Sequence, residues 1–255
     1  MIGITRRHPH KSPRNPQHQR GVRGFFLRLI RRTIVLLGFG LLLAVLVIVA
    51  LRWLPVPSSA FMLIRQIERL QPGSEVPSIR YQWVGLDHIS PAMALAVIAA
   101  EDQRFPEHWG FDFDAMERAI EYNSHSGKVR GASTISQQVA KNLFLWSGRS
   151  YLRKGLEAGL TLGLEALWPK ERILEVYLNI AEFGDCIYGV HAAATQFFGT
   201  TPDRLATREA ALLAAVLPSP RRLHADRPSP YLLARANWIS SHMGKLGGTS
   251  VLDRL

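Results

Sequence analysis

Residues 33–51 read TIVLLGFGLLLAVLVIVAL, 19 residues with no charge and one hydroxyl at the edge. As a helix the run reaches ~28 Å, close to the ~30 Å hydrocarbon core of a bilayer. Gly38 and Gly40 are at home in a membrane span, where glycine is common. Beyond it, Pro55, Pro57, Pro72 and Pro77 surround a short amphipathic run at 61–70, which predicts a linker carrying one helix. Ser90-Pro91 then reads as a helix start, with serine as cap and proline in the first turn, followed by AMALAVIAA. Helical spacing continues at about 112–123, 133–145, 150–167, 170–183, 188–198, 207–217 and 229–246. Gly184, Gly199, Pro169, Pro218 and Pro220 punctuate these runs. No alternating strand pattern or repeat stands out, so the fold class is mainly α.

The apolar run exceeds the roughly 7–15 residues of a signal-peptide core, and it reads as a retained anchor. Ser58-Ser59-Ala60 nevertheless offers a small-x-small cleavage site. Residues 13–32 carry six arginines, whereas 52–71 carry Arg52, Arg65 and Arg69 against Glu68. The positive-inside rule then places the N-terminus in the cytoplasm and residues 52–255 outside. The expected organisation is a basic disordered cytoplasmic tail at 1–32, a transmembrane helix at 33–51, a membrane-proximal linker at 52–87, a catalytic domain at 88–247 and a tail at 248–255. Residues 1–24, rich in Arg, His, Pro, Gln and Gly, are the part expected to be disordered.

Charge changes meaning on this background. The chain has 31 Lys and Arg against 20 Asp and Glu, a net +11 that by itself suggests a nucleic-acid partner. Nine of the basic residues and none of the acidic ones lie in 1–32, which leaves the remainder at only +2. The excess is topogenic, so no nucleic acid is expected, and attraction to anionic lipid headgroups is an added consequence. A single cysteine, Cys186, excludes an internal disulfide framework and a Cys-cluster metal site.

Four clusters carry candidate chemistry. Glu101 to Asp112 (EDQRFPEHWGFD) crowds acids, bases and His108 onto the end of an apolar helix. It reads equally as a solvated helix end or as a cleft in which partial desolvation raises Glu101 toward a general base's range. Gly131 to Asn142 (GASTISQQVAKN) sets Ser133, Gln137 and Lys141 on one face of a helix starting near Ser133, with Thr134 and Gln138 beside them. Hydroxyls, amides and an ammonium suit sugars and phosphate oxygens. In RSYLRKGLE, Arg153 and Lys154 precede Glu157 by four and three residues. That is an intrahelical ion-pair cluster, or an acid held ionised to face a ligand or metal. In KERILEVYLN, Glu175 and Asn179 lie off a packing stripe of Ile173, Val176, Tyr177 and Ile180, and the helix reads as mostly structural. P-loop, GxGxxG, HExxH, Gly-x-Ser-x-Gly, Ser-x-x-Lys and Lys-Thr-Gly patterns are absent.

In this order the four clusters resemble the motifs of the family 51 glycosyltransferases, the peptidoglycan glycosyltransferases: ED-x-x-F-x-x-H-x-G-x-D, G-x-ST-x-x-QQ-x-x-KN, RK-x-x-E and K-x-x-ILE-x-YLN. A fifth, R-x-x-x-VL-x-x-M, is matched by Arg235 and Met243, with Ile239 and Ser240 where Val and Leu are usual. The similarity spans about residues 85–247. It implies a lysozyme-like fold with two lobes and a cleft, preceded here by one transmembrane helix. It implies lipid II and the growing glycan strand as substrates, a single-pass place in the cell inner membrane with a periplasmic catalytic domain, and cell-wall synthesis or division proteins as partners.

By that resemblance Glu101 is the catalytic base, and Glu157 is the second essential acid, near the donor diphosphate. Lys141 and Arg149 bind the diphosphate. Ser133, Thr134, Gln137, Gln138, Arg153, Asp102 and His108 complete the substrate-binding set. Glu157 is the candidate ligand for a divalent cation, Mg or Mn, and no organic cofactor is implied. The rival classes are a lysozyme-like lytic enzyme, which also uses a carboxylate pair, and a non-catalytic scaffold for wall assembly. The Gln-Gln-x-x-Lys-Asn helix speaks against the hydrolase, which meets no diphosphate.

Overall fold

The computed structural model describes residues 16–125, 131–148 and 150–255. The chain divides into two units, Met1–Val47 and Ile48–Leu255. The first is helix α1, Pro16–Leu51, up to Val47. Its apolar side chains, Leu36, Phe39, Leu41 and Leu46 among them, are exposed, as on a helix whose solvent is lipid. Leu27–Leu51 has the length and composition of a membrane span, with a mean hydropathy of 3.2. It encloses the expected 33–51. Residues 16–24 differ from expectation, because helical backbone begins at Pro16 rather than after a disordered tail. A helix nucleated in the apolar run extends outward at little further cost, and proline is tolerated in its first turn. The rest of the tail, residues 1–15, lies outside the described residues.

The second unit is helical: α2 Ala60–Arg69, α3 Pro91–Glu101, α4 Phe113–His125, α5 Ile135–Phe144, α6 Tyr151–Leu167, α7 Lys170–Ile180, α8 Gly189–Phe198, α9 Thr207–Val216 and α10 Pro230–Lys245. Helix α3 is its axis. Met93 through Ala99 are buried, and α9 and α10 pack against it. Alanines on both α3 (Ala94, Ala96, Ala99) and α9 (Ala210, Ala211, Ala214, Ala215) let these helices approach closely. A second layer sets α5 against α6 and α7, with α8 on α7. Residues 52–87 and the closing Gly248–Arg254 turn belong to this same unit, and Val251 is buried in its core.

Three short strands are present that the pattern did not predict: β1 Arg80–Tyr81, β2 Glu182–Gly184 and β3 Ile187–Tyr188. β3 is central, parallel to β1 and antiparallel to β2. Two or three residues are too few for alternation to register in a sequence. The same turn stops α7 at Ile180, three residues short of its expected end at 183. Gly189 closes it with φ +78°, and a Cβ there would sit 2.5 Å from the Asn179 carbonyl oxygen. Gly189→Ala should therefore lower stability by about 2 kcal/mol or more, read as a fall in the thermal midpoint.

Asn179 and Glu175 staple the linker to α7. Asn179 donates to Val84 O (2.8 Å) and accepts from Val84 N (2.9 Å). Glu175 accepts from Leu86 N (3.2 Å) and from Arg172 Nη1 (2.5 Å). Within this unit the last carbonyls of α1, which lack intrahelical partners, are also bound. Trp168 Nε1 donates to Ile48 O (2.8 Å), and Arg172 donates to Leu51 O through Nη2 (2.8 Å). In return Arg52 Nη1 donates to Leu167 O (2.7 Å).

Candidate active site

Helix α3 runs buried almost to its end, and its last residue is Glu101. The carboxylate therefore emerges from an apolar helix into a cleft of about 890 Å³. Burial, the largest influence, raises its pKa above the ordinary carboxylate value. The neighbouring Asp102 charge pushes the same way, while the Gln138 hydrogen bond, Arg235 and Lys141 oppose. Gln138 Nε2 donates to Glu101 Oε2 at 2.8 Å. A carboxylate with a raised pKa and one amide donor is a stronger proton acceptor than an ordinary solvated carboxylate.

Asp102 and His108, expected to meet substrate, are both buried and engaged with each other. His108 Nε2 lies 2.9 and 3.1 Å from the two Asp102 oxygens. Asp102 Oδ2 also accepts from Ile135 N (3.0 Å), so it holds the first turn of α5 against the end of α3. Asp102 thus joins the ends of α3 and α5 while also lining the cleft, and His108 is buried behind it.

The start of α5 corrects two further expectations. The helix starts at Ile135 with Thr134 as its cap, one to two residues after the expected start near Ser133. Thr134 Oγ1 accepts from Gln137 N (3.2 Å), Gln137 Oε1 accepts from Thr134 N (3.1 Å), and Thr134 Oγ1 donates to Gly110 O (2.7 Å). This reciprocal box turns Gln137 inward and buries it. Ser133 precedes the helix, is exposed and lines the cleft, as do Thr134 and Gln138. The expected Ser133–Gln137–Lys141 face thus does not form as one surface. The Thr-x-x-Gln spacing was the signal for it, since it marks a capping box.

Lys141 lies one turn beyond Gln137 on α5, with its ammonium 5.8 Å from the centre of the Phe61 ring. It forms no ion pair among the described residues. Burial, the largest influence, lowers its pKa, as do Arg153 and Lys154, whereas Glu157 and Glu101 raise it. Arg149 lies outside the described residues. Glu157 on α6 is buried and accepts from Arg153 Nη1 (2.6 Å) and Lys154 Nζ (2.5 Å). Arg153 Nε also donates to Gly148 O (2.8 Å), which ties the preceding loop to the helix. Both Glu157 oxygens are thus committed to cations. Among the described residues no three His, Cys, Asp or Glu side chains gather as a metal site.

Several cleft residues do not read as site residues in the sequence, although Arg235 falls on the fifth motif. On α10, Arg235 donates to Ala100 O (3.2 Å), its guanidinium stacks 4.4 Å from the Trp238 ring centre, and Trp238 stacks at 3.8 Å on His242. All three residues line the cleft with Arg104 and Arg118. Their i, i+3, i+7 spacing on one helix was visible, but nothing local says that this face meets Glu101. Beneath the cleft, Ser136 and Lys170 (2.8 Å) both donate to the Glu165 carboxylate, and Lys170 donates to His108 O (2.6 Å).

Comparison with known proteins places these residues in context. A family model described as transglycosylase matches residues 70–244. A biosynthetic peptidoglycan transglycosylase of Citrobacter koseri is 55% identical over 224 residues, covering 84% of this chain and 93% of that protein. Proteins of the same description from Klebsiella oxytoca (54% identical, 89% and 91% covered) and Salmonella enteritidis (53% identical, 91% and 94% covered) are similarly close.

Proposed function

The chain belongs to the transglycosylase family, and from that premise we propose that it polymerises lipid II into β-1,4-linked glycan strands during peptidoglycan synthesis, with Glu101 as the base. The observation that carries this assignment is the placement of Glu101. It is an acid with a raised pKa at the mouth of a buried helix, open to a cleft and held by one amide donor.

The reaction follows from these groups. Glu101 takes the proton of the acceptor's 4-hydroxyl as the oxygen attacks the anomeric carbon of the donor glycan. The C1–O4 bond forms, the bond from C1 to the diphosphate oxygen breaks, and polyprenyl diphosphate leaves with the electron pair. Attack opposite the leaving group inverts the anomeric carbon. Diphosphate needs no strong acid to depart; it needs fixed positive charge where negative charge grows. Lys141 supplies that charge in a partly desolvated place, where it counts for more than in water. Arg149 is assigned the same task by its motif. Glu157 holds Arg153 and Lys154 in position beside the Lys141 field.

The apolar α1 is the membrane anchor in this reading, with the N-terminus cytoplasmic and the catalytic unit on the outer face of the inner membrane. Enzyme and lipid-linked substrate then meet in two dimensions, which raises their effective concentration. The test is incubation of the purified full-length chain with lipid II in detergent or vesicles. Glycan strands that a muramidase degrades are expected. Release of soluble fragments from existing peptidoglycan, without strand synthesis, would instead identify a lytic enzyme.

A further inference from the structure

We propose that Tyr177 is a positioning residue for the reaction: its hydroxyl selects which end of the Gln138 amide meets Glu101 and so keeps a donor on the carboxylate. This rests on the reading of Glu101 as the base.

Three helices contribute one residue each to a short chain of hydrogen bonds. Tyr177 of α7 is buried in the core, and its hydroxyl donates to Gln138 Oε1 at 3.3 Å. Gln138 of α5 donates from Nε2 to Glu101 Oε2 at 2.8 Å. An amide has two unlike ends of nearly equal size. Turned over, Gln138 would set its carbonyl oxygen against an ionised carboxylate, two acceptors with no proton between them. Tyr177 makes the productive orientation the only one that satisfies every group. Its hydroxyl is buried and donates to Gln138 Oε1; with the amide turned, Nε2 would donate to the Tyr177 oxygen instead and the hydroxyl proton would lose this acceptor. Burial and the nearby Glu101 and Asp102 charges hold the Tyr177 pKa well above its ordinary value, so the group stays a neutral donor across the working range.

The other charged groups that face Glu101 are Asp102 at the end of α3, Lys141 on α5 and Arg235 on α10. None of them is hydrogen-bonded to the Gln138 amide among the described residues. The sequence pattern places Tyr177 on the packing stripe of α7, and its ring does pack there. The hydroxyl is what reaches the site.

The experiment compares the pH dependence of kcat for lipid II polymerisation in the wild type, Tyr177→Phe, Gln138→Met, the double variant and Glu101→Gln. The Gln138 donor favours the carboxylate, so loosening it raises the pKa of Glu101. In Tyr177→Phe the acid limb should move to higher pH, with kcat recovering on the alkaline plateau and KM little changed. Each displacement of about half a pH unit lowers kcat about threefold at a fixed pH on that limb. Gln138→Met should move the limb further in the same direction, and Tyr177→Phe should add nothing in that background. If Tyr177→Phe does not fold, the limb of Gln138→Met alone decides whether the amide sets it, and an unmoved limb there overturns the proposal. A uniform loss at all pH values in Tyr177→Phe, or full additivity with Gln138→Met, reduces Tyr177 to a packing residue. An active Glu101→Gln would overturn the base assignment itself, a result separate from either of these.

Discussion

Glu101→Gln should abolish strand synthesis and at the same time make the folded protein more stable at neutral pH. The amide keeps the shape and can still accept from Gln138 Nε2, but it cannot take a proton from the acceptor hydroxyl. General-base catalysis contributes about 10²–10⁴-fold, so kcat should fall by that range with KM far less affected. The stability gain follows from the raised pKa. Burial makes the ionised carboxylate less favourable in the folded chain than in the unfolded one. Above the folded pKa that penalty is fully present. It fades as pH falls toward the ordinary carboxylate range, because both states then bind the proton. Denaturation of the two proteins across pH should show a gap in favour of the glutamine variant at neutral pH that closes in acid. A wild-type protein more stable than the variant at neutral pH would mean that the carboxylate is solvated, and the argument for a tuned base would fail.

Lys141→Met should be the second large loss. Methionine retains the length and packing of the stem beside Phe61 while removing the charge. Removing one preorganised contact to a developing anion costs about 10²–10³-fold in rate, and this contact carries a full charge. The loss should appear in kcat more than in KM, since the diphosphate, already anionic in the bound donor, gains a further negative charge in the transition state. Burial also lowers the Lys141 pKa, so its ammonium is disfavoured in the folded state. Lys141→Met should therefore unfold at a higher temperature than the wild type at neutral pH, with the gap closing as pH rises into the ordinary lysine range. Glu157 limits this penalty, because its charge near Lys141 acts the other way. Both predictions describe groups that function because they are held where they are costly.

Much of this molecule is local enough to read along the chain. The uncharged run at 33–51, the Ser90-Pro91 start of α3, Pro169 before α7 and left-handed Gly199 after α8 each act within a few residues. Local pattern leaves Glu101 open between a solvated helix end and a cleft, and Glu157 between an ion-pair cluster and a ligand-facing acid. The motif resemblance singles them out, and the fold buries Glu157 and sets Glu101 on the cleft. The small sheet was not, since its strands are shorter than the period that would reveal them. Nor was the meeting of Arg235 with Ala100, 135 residues apart in the chain.

By itself the sequence determined the long apolar helix, the order of helices and the family membership of its motifs. The tertiary structure decided which polar residues in those motifs are free to meet a ligand. His108 and Gln137 are of the types that bind sugars and phosphates, yet both are buried, His108 against Asp102 and Gln137 in the cap of α5. Gln138, next to Gln137, opens onto Glu101. The physical reason is that a hydroxyl, amide or carboxylate satisfies a helix end as well as it satisfies a substrate. Only its burial and the identity of its partner distinguish the two, and both are properties of the packed chain.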